Sequence, residues 1–166
     1  RAVMGDIGLL VAAVDALTTA PARKAALKRH IWRPIRFAAL LDRLSKPTPL
    51  AAPGATGPQI GLRSAADVTD RWAQLQGEAE LNPIPMAEVA AVKAVLNAGA
   101  PLPQAAAVLA DVSHALPGLR LAITRLEDRV SAFEDAGIET GVIEFRTTYG
   151  LSAMEYYDGF VFGFYA

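Results

Sequence analysis

Leu119-Arg120-Leu121-Ala122-Ile123-Thr124-Arg125-Leu126-Glu127-Asp128-Arg129-Val130-Ser131-Ala132-Phe133-Glu134-Asp135-Ala136-Gly137 is followed, after four residues, by Val142-Ile143-Glu144-Phe145-Arg146-Thr147-Thr148-Tyr149. The two stretches differ in period, and that difference sets the fold class. In the first, Leu119, Ile123, Leu126, Val130 and Phe133 recur at alternating spacings of four and three, which puts them on one face of a helix. Arg125, Glu127, Asp128, Glu134 and Asp135 fall elsewhere on its surface. Gly137 suits a helix end, because glycine takes left-handed backbone at little cost. In the second stretch apolar and polar residues alternate, the period of a strand with one buried face. A helix over 117–136 and a strand over 142–149 predict an α+β fold.

Outward from there, 150–158 reads as a bend or loop. Phe160-Val161-Phe162-Gly163-Phe164-Tyr165 reads as a second strand with Phe160, Phe162 and Phe164 on one face. Upstream, helices are expected near 103–115 and 86–97. Pro83 and Pro85 break the chain before them, and Ser64 is a candidate N-cap for a helix reaching about Glu78. Residues 46–63 are rich in Pro, Gly, Ala and Thr and are expected to form a flexible loop. Pro34 opens a helix with Phe37, Leu40, Leu41 and Leu44 as its apolar face, and Pro21 suits the first position of another. Asp6 can cap a helix carrying Leu9, Leu10, Ala13, Val14 and Leu17, after a short strand over 1–5. The organisation is therefore basic helices over 1–45, a loop over 46–63, a helical stretch over 64–136 and strands over 137–166. The expected architecture is mostly helical, with a few antiparallel strands.

Hydrophobic residues make up 52% and charged residues 20%, enough apolar material for a core and too much for a disordered chain. The formal net charge of −1 excludes a grip on nucleic acid by overall charge, and no nucleic-acid partner is expected. The chain has no Cys, so disulfides and thiolate metal sites are excluded. The sequence carries no zinc-ligand spacing and no Gly-rich phosphate loop, so no cofactor is expected. No apolar run approaches the roughly 18 residues a membrane span needs, and no signal-peptide pattern opens the chain; a cytoplasmic protein is expected. Arg1 is not an initiator Met and the chain stops inside an aromatic run, so a piece of a longer protein is expected. Residues 21–46 hold eight of the 16 Lys and Arg, against Asp42 alone, and residues 127–158 hold eight of the 17 acids. These runs can be solvated faces, complementary surfaces within the fold, or a docking surface.

His30 and His114 fall in separate predicted helices and read as surface or partly buried positions, and no Ser–His–Asp order or carboxylate pair stands out. The candidate binding site is Tyr156-Tyr157-Asp158-Gly159, at the mouth of the last strand. Adjacent extended tyrosines point to opposite sides, so one can pack inward while the other offers a ring and a hydroxyl to a ligand. Gly159 allows close backbone approach beside them. Alternatively, both tyrosines are half-buried strand residues with satisfied hydroxyls.

Leu151-Ser152-Ala153-Met154-Glu155-Tyr156-Tyr157-Asp158-Gly159-Phe160-Val161-Phe162 resembles the histidine-binding motif of histidyl-tRNA synthetases, which runs Arg-Gly-Leu-Asp-Tyr-Tyr, a small polar residue, Gly and a Thr-Val-Phe-Glu-like strand. Phe160 in place of Thr is more like the non-catalytic paralogue, the regulatory subunit of ATP phosphoribosyltransferase. Gly5-Asp6-Ile7-Gly8-Leu9-Leu10, Arg29-His30-Ile31-Trp32-Arg33-Pro34 and Phe37-Ala38-Ala39-Leu40-Leu41 are similar to that subunit's N-terminal segments. The resemblance covers both ends of the chain; residues 46–116 match only as a variable helical insertion. It implies part of a class II synthetase-like catalytic domain, usually a homodimer. It also implies a non-catalytic role in histidine biosynthesis: supporting the short-form catalytic subunit and conveying feedback by histidine. Histidine would bind at Tyr157, with Tyr156 and Gly159 beside it. Ser152 stands where the synthetases have Arg, and Gly163 where they have Glu, so aminoacylation is not expected; a Ser supplies no fixed positive charge. The other readings are a fragment of a histidyl-tRNA synthetase and a helical protein-interaction module.

Overall fold

A computed structural model describes residues 1–48, 50, 64–151 and 159–165. Most of the expected loop over 46–63 lies outside the described residues, as do Tyr156 and Tyr157.

The chain opens with β1 (Ala2–Asp6) and passes directly into α1 (Ile7–Ala16). Asp6 ends the strand and starts the helix, its Oδ1 accepting from the Gly8 N–H at 2.9 Å. That satisfies one of the donors a helix N-terminus leaves free. α2 (Pro21–Lys28) and α3 (Pro34–Leu44) both begin at proline, as the sequence predicts. α4 (Ala65–Ala79) starts with a reciprocal capping box between Ser64 and Asp67. α5 (Met86–Leu96) and α6 (Leu102–Val112) follow, and α7 (Arg120–Asp135) begins after a short 3₁₀ turn at Pro117–Leu119. α7 ends in a Schellman motif. Gly137 has φ +73°, its N–H donates to Glu134 O, and the Ile138 N–H donates to Phe133 O, both at 2.9 Å.

Three strands besides β1 complete a four-stranded sheet: β2 (Gly99–Pro101), β3 (Ile143–Arg146) and β4 (Phe160–Phe164), in the order β2-β3-β1-β4. The fold is α+β, as expected, but the sheet is mixed. β2–β3 and β1–β4 are antiparallel, while β1–β3 is parallel, with Met4 opposite Phe145. The long helical crossover between β1 and β3 permits that direction, as a tight turn would not. The expected strand over 142–149 is shorter: Thr140–Val142 is a 3₁₀ turn, and the chain turns away after Arg146.

α1 lies at the centre of the core, with Leu9, Leu10, Ala13 and Val14 buried. It packs against α2, α5 and α7, whose stripe of Leu119, Ile123 and Leu126 is buried as predicted. Phe37, Leu41 and Leu44 of α3 are buried as well. α4 is the exception and buries no residue.

Candidate functional site

The β1–α1 junction gathers the parts that position the candidate motif. Asp6, 7% exposed, caps α1 and also accepts from the Arg129 guanidinium of α7 at 2.5 Å. Arg129 in turn lies over the Phe160 ring, 4.7 Å from its centroid. Such a cation–ring contact is attractive, and more so where water is excluded. Asp6 and Phe160 are also register partners across β1–β4, and the Ile7 N–H donates to Gly159 O at 3.3 Å. One carboxylate thus joins a strand end, a helix start and α7 to the first residue of β4. The sequence identifies Asp6 as a cap. Its pairing with Arg129, 123 positions away, has no local signal.

Of the predicted site residues, Gly159 is described and lies at the entrance to β4. Among the described residues, a side-chain carbon added there would meet nothing within 4 Å. Tyr156 and Tyr157 lie outside the described residues. Ile7, Trp32, Tyr149, Leu151, Gly159 and Val161 line a hollow of about 10 Å³, the scale of one water and not of an imidazole. Trp32 comes from the basic segment before α3, Ile7 from the start of α1, and Leu151 and Gly159 from the Tyr-Tyr motif. The fold thus brings the N-terminal and C-terminal stretches singled out in the sequence to one end of the β1–β4 pair.

Tyr149, which borders that hollow, also belongs to a tyrosine pair that sequence reasoning did not single out. The Tyr149 and Tyr165 hydroxyls are 2.9 Å apart, and their rings meet edge to face at 6.5 Å and 77°. Hydrogen bonding to Tyr165 pushes the Tyr149 phenol above its ordinary pKa. The floor beneath Tyr149 is glycine. A Cβ on Gly5 would lie 2.9 Å from Tyr149 Cβ and 2.6 Å from Arg146 O, and one on Gly163 would collide with the Tyr149 hydroxyl. Gly163, where the synthetase motif carries Glu, is therefore where the ring lies down. Two glycines on alternate positions of neighbouring strands were the available signal. Arg1, Val3 and Arg146 border the pair around a depression of about 330 Å³. Glu144 takes ion pairs from both Arg1 and Arg146.

Two larger concavities lie elsewhere. One, of about 600 Å³, runs along the β2–β3 edge past Asn97, Gly99, Glu144 and Thr148. The other, of about 860 Å³, separates α4 from α2 and α3. His30 and His114 are not together in either: both follow helix ends, His30 half-buried and His114 exposed with Nδ1 2.9 Å from Asp111 O. Among the described residues no cluster of His, Asp and Glu could hold a metal ion, and no helix is long and apolar enough to cross a membrane. Comparison with protein-family models, with curated proteins and with solved structures finds no match to this chain.

Proposed function

We propose that this chain belongs to a non-catalytic regulatory subunit of ATP phosphoribosyltransferase, built on a class II synthetase-like domain that responds to histidine. The observation that supports the reading most is the meeting of the two resembling stretches: Ile7 and Trp32 border the same hollow as Leu151 and Gly159. Segments more than a hundred residues apart that resemble one family are expected to adjoin if both serve one ligand. Histidine would meet Tyr157, with Tyr156 packed inward and Gly159 admitting it to the backbone. Feedback then requires that histidine bind one state of the complex with the short-form catalytic subunit better than another. Catalysis belongs to that partner, and Ser152 in place of Arg removes the charge that histidine activation would use.

Calorimetric titration of L-histidine into the protein, alone and with the short-form catalytic subunit, tests the reading. Tyr157→Ala is expected to weaken binding by about 1–3 kcal/mol through the lost ring face and an unpaired polar partner. Tyr157→Phe is expected to cost less. No heat with histidine in either setting, or the same affinity in Tyr157→Ala, would overturn it.

A further inference from the structure

The groove between α4 and the α2–α3 pair has features that the histidine reading does not use. α4 carries an apolar stripe at helical spacing, Val68, Trp72, Leu75 and Ala79, yet none of these is buried. Val68 is 55% exposed and Leu75 40%. Across from them, Leu40 and Leu44 of α3 line the opposite wall. The space between the walls is about 860 Å³ and follows α4 from Arg71 to Glu78, roughly 10 Å at the helical rise. Thr48 and Leu50, which follow α3, line it as well.

The groove's charge is one-sided. Arg23, Arg29, Arg43 and Arg71 line it, and Glu78 is the one acid among its described lining residues. Arg29, Arg43 and Arg71 make no ion pair with any described carboxylate. Arg23, 2% exposed, gives its terminal nitrogens to Asn82 O at 2.8 Å and Glu78 O at 2.9 Å. Its Nε has no partner among the described residues, and no described carboxylate neutralises it. A buried cation held only by carbonyls favours an anion nearby. An apolar floor between helices with a cationic rim matches the way grooves take amphipathic helices.

We propose that the groove between α4 and the α2–α3 pair docks an acidic amphipathic helix of a partner protein. The occupant lays leucine-like side chains against Trp72, Leu75, Leu40 and Leu44, and sets carboxylates against Arg29, Arg43 and Arg71. The apolar floor favours a helix over a nucleic acid strand, whose backbone would meet leucine rather than solvent or cation.

Trp72 reports on this directly. The chain has two tryptophans, so Trp32→Phe leaves Trp72 as the only one. The probe is a synthetic helix of about four turns with leucines along one stripe and glutamates elsewhere. It is compared with its lysine-for-glutamate counterpart and with a uridine oligonucleotide. The glutamate helix is expected to shift Trp72 emission to the blue and to weaken with salt. Arg43→Glu and Arg71→Glu are each expected to weaken it about tenfold. Both residues are exposed, and circular dichroism of each variant checks that it still folds. Because Arg29→Gln removes one charge without reversal, it should give a smaller loss in the same direction. Equal binding of both helices, tighter binding of the oligonucleotide, or indifference to all three arginine changes would each overturn the proposal. So would a Trp72 shift that appears with protein concentration alone, which gives the groove to a second copy. Peptide binding that requires removal of residues 51–63 would overturn it as well.

Discussion

Asp6→Ala and Asp6→Asn separate the two tasks of one carboxylate, and the difference between them can be worked out from the geometry. Asp6 caps α1 through Gly8 N at 2.9 Å and pairs with Arg129 at 2.5 Å. Losing an N-cap side chain costs about 1 kcal/mol. Breaking a fully buried ion pair costs about 3–5 kcal/mol, while a fully exposed pair is worth about 0–1 kcal/mol. The Asp6 and Arg129 side chains are 10% and 34% exposed, so this pair falls between those limits, at about 1.5–3 kcal/mol. Asp6→Ala should therefore cost about 2.5–4 kcal/mol in all. Asp6→Asn keeps an acceptor for Gly8 N and removes only the charge, so it should cost about 1.5–3 kcal/mol. Arg129→Met keeps an apolar stem near Phe160, and the double variant with Asp6→Asn completes a cycle whose coupling should be about 1–2 kcal/mol. Urea unfolding followed by circular dichroism reads these as midpoint shifts at constant slope. Equal costs for Asp6→Ala and Asp6→Asn would show that the cap holds nothing, and a near-zero cost for Asp6→Asn with no coupling would show that the pair holds nothing; either result sinks the junction argument.

The sheet's glycines should respond unequally. Gly5→Ala meets backbone at Arg146 O and Tyr149 O and should cost about 2–4 kcal/mol, whereas Gly163→Ala meets the hydroxyl end of the Tyr149 side chain, which can move, and should cost about 1 kcal/mol, relieved in part in Tyr149→Phe; thermal melts of the three variants decide. The Tyr149 phenol is raised by its hydrogen bond to Tyr165, which holds the proton on Tyr149, so ultraviolet titration should show it ionising above the usual value of about 10, and Tyr165→Phe should return it toward that value. A raised phenol contributes stability below the unfolded pKa and loses it as pH rises through the folded one, so the gap between wild type and Tyr165→Phe should close at high pH. Asp67 is depressed by its hydrogen bonds with Ser64, so the α4 cap should hold above the ordinary carboxylate range and fray as pH falls through the lowered value; amide exchange at Asp67 and Val68 follows it, and Ser64→Ala should remove the dependence. Arg23→Gln should loosen α4 and leave α1 protected in hydrogen exchange, because α4 is tied by carbonyl contacts and not by burial.

Local chemistry was readable before the structure was. Asp6, Pro21, Pro34, Ser64 and Gly137 all act at the positions their residue types suggest, since caps and stops depend on a few neighbours along the chain. The α7 stripe was readable for the same reason, being a spacing within one element. What escaped was set by distant partners. β2 is three residues of Gly-Ala-Pro with no strand propensity of its own, held by β3 alone. The parallel direction of β1 against β3 depends on the crossover and leaves no mark in either strand. Basic and acidic runs were visible, but not their separation: α2 and α3 pair only partly, through Lys28–Asp15 and Asp42–Lys93, and neither meets the acidic face of α7. At the candidate site, Gly159 lies at the entrance to β4, where the alternation of the last strand puts it. Trp32 beside it was not readable, because only the fold brings the two together.

The ends of the molecule are held by opposite kinds of contact, and that bears on how each could work. At the β1–α1 junction a single carboxylate is shared by strand, helix and ring, so moving Phe160 disturbs Asp6, and moving Asp6 disturbs the α1 cap. A ligand bound beside Gly159, as the proposed function requires, would act on a coupled cluster, and its binding energy would reach α1 and α7 without any long path. α4 is the reverse case. It contributes no buried residue, Trp72 and Leu75 of its apolar stripe face a cavity, and its C-terminal end is fixed through Arg23 to backbone oxygens. Such a helix can shift by ångströms while the core stays put, because no packed side chain has to leave its neighbours. A groove with one stiff wall and one compliant wall can close on an occupant at low cost to the core. Little of such closure would reach the junction, because α2 and α3 carry the stiff wall and Leu27, Phe37 and Leu41 anchor them in the core.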